Sequence, residues 1–145
     1  MVQTCQEKED RIVDLLRENE KTYASLLATA EQMHQEIIAG SPDKLEERLS
    51  TRAALQREIS ARDRQIDTLR QQCNIAGNQE IIHILDRSTA TIRKIQEVDR
   101  LTSNCLRKQR NKLRQDIGML RHGKKSLSAY HKKPPQPARF LDRTS

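Results

Sequence analysis

Aromatic side chains are nearly missing from this chain, which holds two Tyr, one Phe and no Trp in 145 residues. Sandwiches and doubly wound sheets carry bulky residues on alternating runs of Val, Tyr, Phe and Thr, and no such run is present. The interior must then come from Leu, Ile, Ala and Met, which suit the narrow seam between helices. Cysteine is also scarce. Cys5, Cys73 and Cys105 are an odd number with no short spacing, which speaks against a disulfide scaffold and fits thiols used as small apolar residues in a reducing compartment. No segment approaches the ~20 apolar residues needed to cross a bilayer. Glu7, Glu9 and Asp10 stand where a signal peptide is apolar. The expected location is cytoplasmic, without membrane insertion.

Groupings that carry chemistry are missing too. There is no Gly-rich phosphate loop, no His pair on one helical face and no Cys pair at metal-ligand spacing. His34, His83, His122 and His131 are scattered and read as surface or partly buried residues. Cys105 lies near Lys108, but a small core or surface thiol is the simpler reading. The expectation is a protein that is not an enzyme and has no catalytic residues, cofactor or metal.

What is present is helical periodicity. Ile12, Leu16, Asn19, Tyr23, Leu26, Ala30, Met33 and Ile37 alternate spacings of four and three, and only Asn19 interrupts the apolar stripe. Leu15, Leu27 and Ile38 widen it beyond a two-stranded seam, which favours a bundle. Asn19 either faces solvent or sits in the seam and fixes register; in the second case Asn19→Leu is expected to raise the melting temperature and broaden the oligomeric state. Gly40-Ser41-Pro42-Asp43 ends this helix and starts another, with Gly40 left-handed, Ser41 as cap, Pro42 in the first helical position and Asp43 at the positive end of the dipole. A second stripe runs through Leu45, Leu49, Arg52, Leu55, Ile59, Arg62, Ile66, Leu69 and Cys73. Arg52 and Arg62 are expected to lay their stems along the seam, their heads reaching water or a carboxylate. Asn74-Ile75-Ala76-Gly77-Asn78 makes the next turn, with Gly77 after the helix end and Asn78 as the following cap.

The third helix carries Ile81, Leu85, Ile92, Ile95, Val98, Thr102, Leu106, Leu113, Ile117 and Leu120. At ~1.5 Å per residue it spans about 65 Å against about 50 Å for each of the first two, so it overhangs an antiparallel hairpin. Gly118 and Gly123 each cost roughly 1 kcal/mol in a helix interior, so its end should fray. The expected fold is all-α: three long antiparallel helices in an elongated, coiled-coil-like bundle over residues 1–121, then a flexible, basic, Pro-containing tail over 122–145.

Charge is unevenly placed. Residues 1–99 carry 14 basic and 18 acidic side chains, whereas residues 100–133 carry 11 basic and one acidic. A helix dipole favours a few cations near a C-terminus but not eleven, which leaves an anionic partner surface or plain solvation. Arg107, Lys108, Arg110, Lys112 and Arg114 alternate with the apolar row Leu106, Leu113, Leu120 and Leu127. The tail then brings two of the three aromatics, Tyr130 and Phe140, with Leu141, held apart by the Pro-rich stretch Lys133-Pro134-Pro135-Gln136-Pro137. A segment this polar builds no core of its own, so these side chains are placed for a partner. The candidate partner-binding residues are Leu106, Leu113, Ile117, Leu120, Leu127, Tyr130, Phe140 and Leu141, with the five cations steering the encounter.

The organisation resembles a family. Ile38-Ala39-Gly40-Ser41-Pro42-Asp43-Lys44-Leu45 leads into an Arg-rich second helix at Arg48, Arg52 and Arg57. The ending Gly123-Lys124-Lys125-Ser126-Leu127-Ser128-Ala129-Tyr130, followed by Arg139-Phe140-Leu141-Asp142-Arg143, is its more specific part. The chain resembles the flagellar type III export chaperones, most closely the FlgN kind and less closely the FliT kind. The resemblance implies a small cytoplasmic helical protein that masks the helical termini of hook-associated, hook-filament junction subunits and delivers them to the export gate. Client binding would fall on the C-terminal helix and tail. Two other readings stay open: a coiled-coil scaffold or adaptor that forms a fixed oligomer, and a basic nucleic-acid binder, disfavoured because the cluster lacks a stacking platform.

Overall fold

The computed structural model describes residues 3–130, with side chains to residue 125. Among the described residues there are three α-helices, a short 3-10 turn and no strand: α1 Cys5–Ile38, the 3-10 turn Pro42–Lys44, α2 Leu45–Gln72 and α3 Gln79–Tyr130. The chain divides into two compact units, Met1–Ser103 and Asn104–Ser145. The first holds α1, α2 and the first part of α3; the second holds the rest of α3.

In the first unit the expected stripe of α1 is the core. Ile12, Leu16, Asn19, Leu26, Ala30, Met33 and Ile37 are buried, and Tyr23 is half-buried. Val13, Leu15, Thr22 and Thr29 are buried beside them, so α1 presents a broad inner face. Near one end Ile12, Val13 and Leu16 meet Ile81 and Ile84, backed by Ile66, Leu69 and Ile75. Further along, Leu26 meets Ile59 and Ile95, backed by Tyr23, Leu27 and Leu55. Numbers on α2 fall as those on α1 and α3 rise, which makes the unit an up-down-up three-helix bundle.

The connections follow from local chemistry. Thr4 caps α1 by accepting from the Glu7 amide at 3.1 Å. At the other end the Gly40 amide reaches the Ile37 carbonyl at 3.1 Å and the Ser41 amide reaches that of Glu36 at 2.9 Å, a paired closure that needs Gly40 at φ +72°. Pro42 begins the 3-10 turn as expected, but Ser41 makes no side-chain cap. The second turn departs further. Cys73 is already extended after α2, so Gly77 is not the residue that ends that helix. It serves instead at φ +88° in a turn closed by the Asn78 amide on the Ile75 carbonyl at 3.2 Å. Asn78 does cap α3, accepting from the Ile81 amide at 3.1 Å, while its own amide donates to Glu9 at 2.8 Å and ties the turn to α1.

Polar groups form layers between and beyond the two apolar clusters. Asn19, 3% exposed, donates to Asp63 at 3.0 Å and accepts from Arg62 at 3.3 Å. Arg62 also donates to Thr22 at 2.8 Å and pairs with Glu18 at 3.2 Å. Arg52 grips both Asp99 oxygens at 2.7 Å, joining α2 to α3, and Arg48 donates to Glu36 at 2.8 Å, joining α2 to α1. His34 and Thr102 meet at 3.0 Å between α1 and α3. Among the described residues no buried side-chain nitrogen or oxygen lacks a partner.

Candidate functional site

In the second unit α3 passes Gly118 and Gly123 without interruption and reaches Tyr130, where the sequence argues for fraying. Most of their neighbours, Leu113, Arg114, Gln115, Met119, Leu120, Arg121, Lys124 and Lys125, are good helix formers, which offset the two weak positions. A Cβ placed on either glycine meets nothing within 4 Å. The glycines therefore make no close approach; they leave shallow depressions beside the helix. One is lined by Asp116, Met119, Leu120, Gly123 and Lys124, the other by Gln115, Gly118, Met119, His122 and Gly123.

Leu106, Leu113, Ile117 and Leu120 follow one another at spacings of seven, four and three, which places them on one face of the helix. All four are exposed, Leu113 at 61% and Leu120 at 66%. Single exposed apolar residues are ordinary, but four on one stripe form a surface that the described residues do not cover. By the same 3.6-residue period Arg107, Arg110 and Arg114 run along one edge of the stripe, continued by Arg121 and Lys125, and Asp116 stands on the other edge. Lys108 and Lys112 lie on the back of the helix. Residues 104–125 hold eight basic side chains and one acidic. Among the described residues none of Arg107, Lys108, Arg110, Lys112 and Arg114 enters an ion pair, and all five are exposed.

The backbone of Leu127 and Tyr130 belongs to α3, but their side chains, and Phe140 and Leu141 altogether, lie outside the described residues. Met119, 72% exposed, joins the surface although it stands off the stripe; its contribution is visible only through the depressions beside the glycines. A further cleft in the first unit is lined by Ile12, Leu16, Ile66, Ile75, Ile81 and Leu85, with Asp63, Asp67 and Arg70 also lining it. Among the described residues no group of three or more His, Cys, Asp and Glu is placed to hold a metal ion, and no helix is long and apolar enough to cross a membrane.

Among the described residues the second unit thus carries an exposed apolar stripe with a cationic edge. Residues 20–132 match a family model described as flagellar protein FliT. No curated protein and no solved structure matches the chain.

Proposed function

The chain belongs to the FliT family, a family of flagellar export chaperones, and we propose that it holds hook-associated subunits by their helical termini in the cytoplasm and delivers them to the type III export apparatus. The family match is to the FliT kind and not to the FlgN kind that the sequence features resemble most closely. Client binding is assigned to Leu106, Leu113, Ile117 and Leu120 on α3, continued by Leu127, Tyr130, Phe140 and Leu141 of the partner-binding segment 122–145. The observation that carries the reading is the uncovered stripe. A helix carrying four apolar residues toward water at helical spacing lacks its packing partner, and a client helix laid along it supplies one.

The cationic edge says more about that client. A helix that packs on the stripe and satisfies Arg107, Arg110 and Arg114 presents apolar residues at positions three and four apart with Asp or Glu along the matching side. Arg107, Lys108, Arg110, Lys112 and Arg114 raise the encounter rate through their field. Export-gate components are a second contact, made when the client is handed over.

The test is co-purification of the intact chain with hook-associated subunits, junction proteins and filament cap assayed separately. Leu113→Ser combined with Leu120→Ser should abolish capture of the client at unchanged helix content. Capture that survives this double change would falsify the assignment of the site. Binding to no flagellar subunit at all counts against the client class.

A further inference from the structure

The first unit brings two cysteines into contact although they are 68 residues apart in sequence. Cys5 opens α1 and is exposed; Cys73 follows the last residue of α2 and is buried. The Cys73 thiol donates to the Cys5 backbone carbonyl at 3.5 Å. The Cys73 thiol is held above its usual pKa first by hydrogen bonding to Cys5, then by burial and the negative field of Cys5 and Glu9, with Lys8 acting in the opposite sense.

We propose that Cys5 and Cys73 are a redox modification site, closed to an intramolecular disulfide by a low-molecular-weight disulfide such as oxidised glutathione. A disulfide needs the two Cα atoms within about 7 Å and the side chains directed at each other, a requirement compatible with a thiol already on the neighbour's carbonyl. Cys5 lies in the first turn of α1, where the helix has few hydrogen bonds to lose, so small adjustments fall on the softer partner. The segment that follows Cys73 is tied to α1 by the bond from Asn78 to Glu9.

The steps balance. The Cys5 thiol loses its proton to water and its sulfur attacks the oxidant; the oxidant's S–S bond breaks, and one small thiol leaves after taking up a proton. Cys73 then loses its proton, attacks the Cys5 sulfur and expels the second small thiol. Two protein thiols are oxidised to one disulfide, and one small disulfide is reduced to two thiols. The exposed cysteine meets the oxidant and the buried one resolves the mixed disulfide. The resolving step requires the Cys73 thiolate, so closure accelerates as pH rises. In a reducing compartment such a bond is transient, formed under oxidative load and reopened by small thiols.

The experiment uses the full chain in graded mixtures of reduced and oxidised glutathione, read by intact mass, peptide mapping and melting. The expected product is a monomer lacking two hydrogens, with Cys5 linked to Cys73 and a melting temperature raised by roughly 10 °C, because the link closes a long loop. Cys105→Ser should behave as wild type. Cys5→Ser, a change at an exposed position, should melt as the reduced protein does and show no shift with oxidant. Linkage of either residue to Cys105, or a lasting glutathione adduct on Cys5 while Cys73 still reacts with an alkylating agent, overturns the proposal.

Discussion

Asn19 has both ends of its amide engaged, its nitrogen on Asp63 and its oxygen accepting from Arg62. A lone polar residue in an apolar seam is improved by Leu, which is the basis for expecting Asn19→Leu to stabilise. The network reverses that sign. Leu at this position leaves an Arg and an Asp short of a partner, and each unpaired group costs about 1–3 kcal/mol where water cannot reach it. Arg62 keeps Thr22 and Glu18, and Asp63 stands near solvent, so the net loss should be about 1–2 kcal/mol, read as a lower denaturation midpoint. The same layer sets a pH dependence. Partial burial, and the nearby Asp67, hold the Asp63 carboxyl above its usual range against the Asn19 bond that lowers it. The folded state therefore takes up this proton more readily than the unfolded one, and the cost of ionised Asp63 is removed as pH falls through its raised pKa. Glu36 has the opposite sign: the Arg48 bond holds it low, so its contribution is complete above the unfolded value and disappears as pH falls through the depressed one. Melting curves of Asp63→Asn and Glu36→Gln against wild type, at neutral and at acid pH, check both. Asp63→Asn should be more stable than wild type only at neutral pH, and Glu36→Gln less stable only at neutral pH.

At the scale of the element, α3 shows how a helix can be read correctly and its inner face misread. The sequence favours Leu85, which is large and apolar, over Ile84, Ser88 and Thr91, while Ile92 is half-buried at the margin of the inner face. The bundle uses Ile81, Ile84, Ser88, Thr91, Ile95, Val98 and Thr102, buried or half-buried at alternating spacings of three and four, while Leu85 is 46% exposed. Three members of that seam are Ser or Thr, so the true register carries a weaker apolar signal than the neighbouring row. Ile84→Ala should cost about 2–5 kcal/mol through the cavity it leaves. Leu85→Ala should cost less than about 1 kcal/mol. Equal losses in the two variants, measured by denaturant unfolding, would place the register where the apolar pattern alone puts it. The stripe of α1 was legible because it faces two helices at once and spends its positions on Ile, Leu, Ala and Met. The turns were legible wherever glycine or proline imposed a backbone geometry, as at Gly40 and Pro42. The exit from α2 was not, because Cys73 leaves the helix with an extended backbone that nothing in its side chain announces. In the candidate site, spacing alone gave the stripe from Leu106 to Leu120, whereas Met119 entered only through the space left beside Gly118 and Gly123.

At the scale of the whole molecule, the core and the proposed binding surface are carried by different residues. Residues 1–103 hold 15 basic and 18 acidic side chains around a packed interior. Residues 104–125 hold eight basic and one acidic, with Leu113, Ile117 and Leu120 toward water. Stability and client binding should then separate cleanly under mutation, and the two parts of the binding surface should separate from each other. Changing Arg107, Arg110 and Arg114 together to Gln leaves the apolar stripe in place, so the complex should still form. Its association rate should fall and become less sensitive to salt, because exposed charges act mainly on the encounter and are screened beyond about 10 Å at moderate ionic strength. Changing Leu113, Ile117 and Leu120 to Ser should raise the dissociation rate until no complex survives, with the association rate nearly unchanged. Neither set should move the melting of the three-helix bundle by more than about 0.5 kcal/mol per residue, since none of these side chains enters its core. Stopped-flow association at two salt concentrations, paired with thermal melts of the same proteins, reads all three quantities. A charge variant that alone abolishes binding makes an anionic surface the primary partner and removes the helix-in-groove mechanism. A Leu variant that melts far below wild type makes the stripe part of the fold.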